Sequence, residues 1–159
     1  MIRTSPRRAA GTAGRRLTQS AGWIAAAFGT VHIAVAPLDT RDVWSQVVSE
    51  GWLNTFTLDK ATSLAELERS ETFWVTLGSF GAPMLVLGSS VVWSARHGHR
   101  VPGWLGWMVL GWSVPMVSVL PASPGWALPV VGGLIVLGDR ERSRQARSEP
   151  DADAVPTTA

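Results

Sequence analysis

A chain of 159 residues with a formal net charge of +2 and no cysteine excludes disulfide scaffolds, thiolate metal centres and cysteine nucleophiles at once. Hydrophobic residues make up 46% and charged residues 16%, the latter well below the roughly 25% usual in soluble domains. The charges are also crowded together, leaving residues 17–38, 72–95 and 101–138 without Asp, Glu, Lys or Arg; a bilayer-crossing helix needs about 20 apolar residues.

In chain order, residues 1–17 are basic and poor in large apolar side chains, so they predict a disordered tail: such a segment cannot bury enough surface to offset its ordering entropy. A first membrane span is expected near 18–38. A secretory signal peptide is the rival reading, since the stretch ends in the small-residue triplet Ala34, Val35, Ala36. Pro37 directly after the triplet opposes cleavage, and the apolar run exceeds the usual core of about 7–15 residues.

Helical spacing gathers Gly22, Ala25, Ala26, Gly29, His32, Ile33 and Ala36 on one arc of about 120°, the face expected to pack, with Ile24, Phe28, Val31, Val35 and Leu38 toward lipid. His32 is the candidate site residue of this span. It reads either as a hydrogen-bonded peg to a neighbouring span, with Ser79, Ser113 or a carbonyl freed by Pro83 or Pro115 as partner, or as a ligand to a bound cofactor or a proton carrier.

The segment 39–70 is predicted as an outer loop that begins with an amphipathic helix, because Val43, Trp44, Val47, Val48 and Gly51 or Trp52 recur at helical spacing while Asp42, Gln46, Ser49 and Glu50 fill the other side. It reads as an interfacial anchor or as a lid. A second span is expected at 71–95. His97 and His99 follow it, flanked by Arg96 and Arg100 with no carboxylate beside them, which argues against a metal site.

The charge-free stretch 101–138 would run about 57 Å as one helix, too long for one crossing, and "LPASPG" at 120–125 interrupts it. It is therefore expected to be a hairpin with spans at 103–120 and 124–139, followed by a second disordered tail at 140–159. In the third span Trp104, Met108, Trp112 and Met116 form one stripe, beside another of Gly103, Trp107, Gly111 and Pro115. Trp112 and Met116 are candidate cofactor-binding residues of a heme or quinone slot; ordinary helix packing explains the same stripe.

Arginines cluster before the first span, between the second and third, and after the fourth, whereas 39–70 is rich in Asp and Glu. The positive-inside bias then puts both termini in the cytoplasm. The fold predicted is all-α, a four-transmembrane-helix bundle in the cytoplasmic membrane with a short amphipathic helix in the outer loop between spans one and two. Because the arginines alternate with spans, they read as contacts to anionic lipid and not to nucleic acid.

With every acid in a loop or tail, paired-carboxylate catalysis is not expected. Three classes remain open: a structural or accessory protein packing with membrane lipids, a partner membrane protein or a second copy of itself; a binder of a lipophilic small molecule such as quinone or heme; and a small transporter, for which His32 is the one intramembrane ionisable group.

"GWIAAAFGTVHIAVAPL", "RDVWSQVVSEGWLN", "ETFWVTLGSFGAPMLVLG", "GWMVLGW" and "PASPGWALPVVGGLIVLG" together resemble an uncharacterised family of small bacterial four-span integral membrane proteins, over about residues 20–138. The resemblance implies a four-helix fold in the cytoplasmic membrane. It carries over no activity and no catalytic residue.

Overall fold

A computed structural model describes residues 6–53, 55–56 and 59–148. Among them every regular element is helical: α1 (Pro6–Asp39), α2 (Arg41–Glu50), α3 (Leu64–Val75), α4 (Gly81–Arg96), α5 (Gly103–Val119) and α6 (Ala127–Ser148), with one 3₁₀ turn at Pro124–Trp126 before α6. One of these helices is both long and apolar enough to cross a membrane, α1 over Thr12–Asp39, whose 28 residues extend about 42 Å. The apolar α5 is shorter, at 17 residues.

The chain divides into two compact units, one of the described residues up to Ala25 and from Leu87 onward, the other of Ala26–Val86. In the first unit, α5 and α6 form the expected hairpin. Leu120 ends α5, the Ser123 N–H donates to the Leu120 carbonyl at 3.0 Å, and the Ser123 hydroxyl accepts from Gly125 N–H at 3.1 Å. Helices α5 and α6 approach through glycine: a Cβ on Gly106 would stand 2.6 Å from the Gly132 carbonyl. Around that crossing Leu128, Val131, Ile135 and Val117 are almost fully buried. At the other end Arg100 joins Asp139 through two hydrogen bonds and reaches Ser143 at 3.0 Å, tying the loop before α5 to α6.

In the second unit the small-residue arc of α1 continues. Ala26 and Gly29 are buried, and a Cβ on Gly29 would meet the Gly81 carbonyl and the Leu85 nitrogen at 2.5 Å. Val31, Val35 and Leu38 are exposed, as the arc predicts. Two of its assignments differ. Ile33 is exposed, and Phe28 is not a free outward side chain but stacks on Phe80 with ring centroids 5.8 Å apart.

Three expectations about element boundaries are corrected. The helix expected at 71–95 is broken into α3 and α4 by residues 76–80. Thr76 leaves the helical region, its hydroxyl donates to the Thr72 carbonyl, and Gly78 N–H turns back to the Phe73 carbonyl at 2.8 Å. Ser79 bridges the gap, donating to the Thr76 carbonyl and accepting from Gly81 N–H at 3.2 Å, so the polar groups released by the break are satisfied locally. Pro83 then falls in the first turn of α4, where its missing N–H removes no helical bond.

The tails differ as well. Helix α1 starts at Pro6, so 6–17 of the segment expected to be disordered is helical, and α6 runs on to Ser148, through 140–148 of the other. The remaining tail residues, 1–5 and 149–159, lie outside the described residues.

Candidate functional site

Three groupings of side chains carry functional potential, two in the Ala26–Val86 unit and one in the other. The first surrounds His32. Its imidazole lies against Phe80 at 4.9 Å between centroids, with Phe28, one turn earlier on α1, at 6.4 Å, and a Cβ on Gly81 would meet the ring carbon Cδ2 at 2.9 Å. The glycine at the start of α4 thus makes room for the ring. Nε2 is buried and has no hydrogen-bond partner among the described residues. Ser79, expected as a partner, spends its hydroxyl on the α3–α4 junction instead. Ring stacking, and not a hydrogen bond at Nε2, holds the imidazole.

The second grouping is built by α2, α3 and the segment between them. Gly51 ends α2 in the left-handed conformation (φ 106°), and the Trp52 N–H donates to the Val47 carbonyl at 3.0 Å. Trp52 itself has a φ of 57°, rare for a bulky side chain, and stacks on Trp44 at 5.7 Å. From Trp44 the aromatic contacts run to Phe56 at 5.6 Å, on to Phe73 at 5.2 Å and to Trp74 at 5.2 Å. Val47 is the fully buried residue of α2.

A two-pronged ion pair fastens this cluster: Arg69 donates to both carboxylate oxygens of Glu50, at 2.7 and 2.8 Å. That bond holds the Glu50 carboxyl below its ordinary pKa. Ser63 caps α3 by accepting from Glu66 N–H at 3.2 Å, and the Glu66 carboxylate accepts from the Thr62 N–H and hydroxyl at 2.7 and 2.9 Å. Those bonds, the Thr62 N–H first, keep Glu66 ionised below its usual range.

Two cavities border the cluster. One of about 540 Å³ has Phe56, Phe73 and Trp74 on its walls together with Thr62, Glu66 and Arg69, a lining suited to an amphipathic molecule. The other, of about 250 Å³, is almost wholly apolar and is lined by Ile33, Pro37, Trp44, Trp52, Leu77 and Ala82.

The third grouping is the Trp104, Met108, Trp112, Met116 stripe of α5. It does not line an interior. Trp104, Met108 and Trp112 are exposed, while Met116 lies against the hairpin turn, its methyl 2.6 Å from where a Cβ on Gly125 would be. The buried face of α5 is instead Gly106, Val109, Ser113 and Val117. His32 and the pair Trp112, Met116 belong to different compact units, so neither unit by itself gathers all three. His97 and His99 lie against Trp93, at 4.6 and 5.4 Å, and no group of three or more His, Asp or Glu side chains suited to a metal occurs among the described residues.

Sequence reasoning missed Phe80 as the partner of His32 and the Glu50–Arg69 clamp. Neither pair has a local period that marks it; the Ser63-x-x-Glu66 spacing, by contrast, is a legible capping signal. No curated protein and no solved structure matches the chain. A family match covers residues 16–142, which include α2 to α5, both groupings of the Ala26–Val86 unit and the α5 stripe, and the chain therefore belongs to DUF6463, a family of unknown function.

Proposed function

We propose that the chain is an integral membrane protein that crosses the cytoplasmic membrane four times with both ends inside, and that it works as a structural or accessory protein packing with lipid and partner helices. The observation that carries this reading is where the large and small side chains lie. Eight of the nine tryptophans are exposed, whereas the close helix approaches are made by glycine: Gly14 at Gly138, Gly22 at Gly88, Gly29 at Gly81 and Gly106 at Gly132. In water such a surface is a liability. In a bilayer it is the expected arrangement, because lipid removes the hydrophobic drive between helices and leaves close van der Waals packing to hold them.

Support comes also from the arginines. Arg96 lies over Trp23 at 5.3 Å and Arg140 over Trp107 at 5.8 Å, cation and indole paired as at a headgroup boundary. The 17 residues of α5 span about 26 Å, near the roughly 30 Å of hydrocarbon. The α3–α4 break fits a crossing because Ser79 and Thr76 satisfy the local polar groups. Cysteines introduced singly at Ser5, Thr55, His99 and Thr158 in intact cells test the reading: labelling from outside is expected at Thr55 alone. Labelling at Ser5 or His99, or release of the protein from membranes by alkaline carbonate, refutes it.

A second reading, a binder of a lipophilic molecule such as a quinone or heme, is favoured by one observation, the buried and unpaired Nε2 of His32. Absorption spectra and mass spectrometry of the purified protein test it through whatever chromophore or quinone copurifies. A protein that carries only phospholipid refutes it.

A further inference from the structure

We propose that the larger cavity beside α3 binds a lipophilic organic cation, an amine or quaternary ammonium on an apolar body. The site lies wholly within the Ala26–Val86 unit and does not rest on the chain crossing a membrane. Its volume of about 540 Å³ is that of a small-molecule pocket. Three of its walls are aromatic. Phe56 and Phe73 meet at 45° and Phe73 and Trp74 at 81°, with centroids 5.2 Å apart in both pairs, so the rings form a corner and not a flat stack. Gly78 backs two of them: a Cβ there would stand 2.8 Å from Phe73 Cε1 and 3.0 Å from Trp74 Cε3, and the Gly78 N–H donates to the Phe73 carbonyl. Ring faces carry the negative part of the aromatic quadrupole and attract a cation that comes within about 6 Å of a centroid.

The charges on the lining select the same sign. Arg69 is already matched by Glu50, which holds it with both carboxylate oxygens and is not itself part of the lining. Asp59 and Lys60 contribute one charge of each sign. Glu66 is left over. Its Oε2 accepts from the Thr62 N–H and hydroxyl, neutral donors that fix the carboxylate without cancelling its charge, and Oε1 has no hydrogen-bond partner among the described residues. An ionised carboxylate facing an aromatic corner offers a cation a counter-charge and the ring faces together, and offers an anion neither.

The full chain, purified in an uncharged detergent, is titrated with benzyltrimethylammonium and separately with benzylsulfonate, a probe of similar size and opposite charge, and binding is read by calorimetry against empty micelles. The cation is expected to bind more tightly by about tenfold or more, as for a hydrogen-bonding charged group gained. Glu66→Gln, whose amide oxygen still accepts from Thr62, is expected to weaken cation binding by about tenfold or more, and Trp74→Leu by about two- to thirtyfold. Lys60→Gln removes a like charge and is expected to leave binding unchanged or stronger. Glu68→Gln removes an equal negative charge from α3 outside the lining and is expected to change binding by less than about twofold. Should Glu66→Gln fail to fold, Trp74→Leu and Lys60→Gln, at exposed side chains, carry the test. Equal binding of the two probes, a preference for the sulfonate, weaker cation binding in Lys60→Gln, unchanged binding in Trp74→Leu, or an equal loss in Glu66→Gln and Glu68→Gln overturns the proposal.

Discussion

Replacing Gly29 by leucine tests the packing that underlies the whole reading. A Cβ at this position would stand 2.5 Å from both the Gly81 carbonyl oxygen and the Leu85 nitrogen, and 3.0 Å from the Leu85 Cα. Ordinary contact begins near 3.5 Å, so even alanine falls short by about 1 Å. The obstructing atoms are backbone, which has no rotamer to yield, and α1 and α4 must therefore separate at this crossing. Overpacking of this kind costs about 1–3 kcal/mol, and leucine sits at or beyond the upper end because three more carbons follow the first. Val31→Leu provides the comparison: Val31 is 60% exposed, and a change there is expected to stay within about 0.5 kcal/mol. At about 2–4 °C per kcal/mol for a chain of this size, Gly29→Leu lowers the melting temperature in detergent by roughly 6 to 12 °C, Gly29→Ala by less, and Val31→Leu by under 2 °C. Equal melting of Gly29→Leu and Val31→Leu refutes the close backbone approach and, with it, the small-residue packing face.

His32→Phe keeps the stacking on Phe80 and removes a ring nitrogen that has no partner, so its stability equals or exceeds that of wild type, whereas His32→Gln loses the ring contact and about 0.5–1.5 kcal/mol; thermal melts that rank the two the other way refute the stacking role. Ser79→Ala strips the α3–α4 junction of one donor and one acceptor and costs about 1–2 kcal/mol, read as a lower melting temperature with faster hydrogen exchange at Gly81. Because its bond to Arg69 holds Glu50 below the ordinary carboxylate pKa, the clamp between α2 and α3 is fully present above that range and is lost as pH falls through the lowered value. Exchange protection of α2, corrected for intrinsic rates, should drop on acidification, and Arg69→Met should abolish that step at every pH; an unchanged profile in Arg69→Met shows that the pair does not hold the helix.

How much was legible in the residues depends on whether the cause is local. The turn of the α5–α6 hairpin is, since Pro121, Ser123, Pro124 and Gly125 carry their own backbone preferences. The buried arc of α1 is equally local: Gly22, Ala25, Ala26 and Gly29 recur at helical spacing, and all four are buried. The amphipathic helix α2 follows from the same periodicity, although Gly51, which falls within that period, serves instead to turn left-handed at the cap. The opposite error occurred at the tails, where composition predicted disorder at 6–17 and 140–148 and both are helical. There Gly14 lies against Gly138, a pairing of residues at opposite ends of the chain that no window of either tail contains.

Composition and period therefore determined that this is an all-helical chain with apolar stretches divided by arginine-rich segments, and which face of α1 carries its small residues. Tertiary contact decided the rest. The break at 76–80 is the exception, closed within the segment itself by Thr76 and Ser79 bonding groups two to four residues away, though no apolar period marks it. The position of His32 depends on Phe80 and on the space left by Gly81, some fifty residues away in sequence. The clamp on α2 needs Arg69 opposite Glu50. Helical periodicity reports which side chains share a face, because it is a property of one segment's backbone geometry; it cannot report which face of another segment will meet them, because that choice is made by the close packing of whole helices.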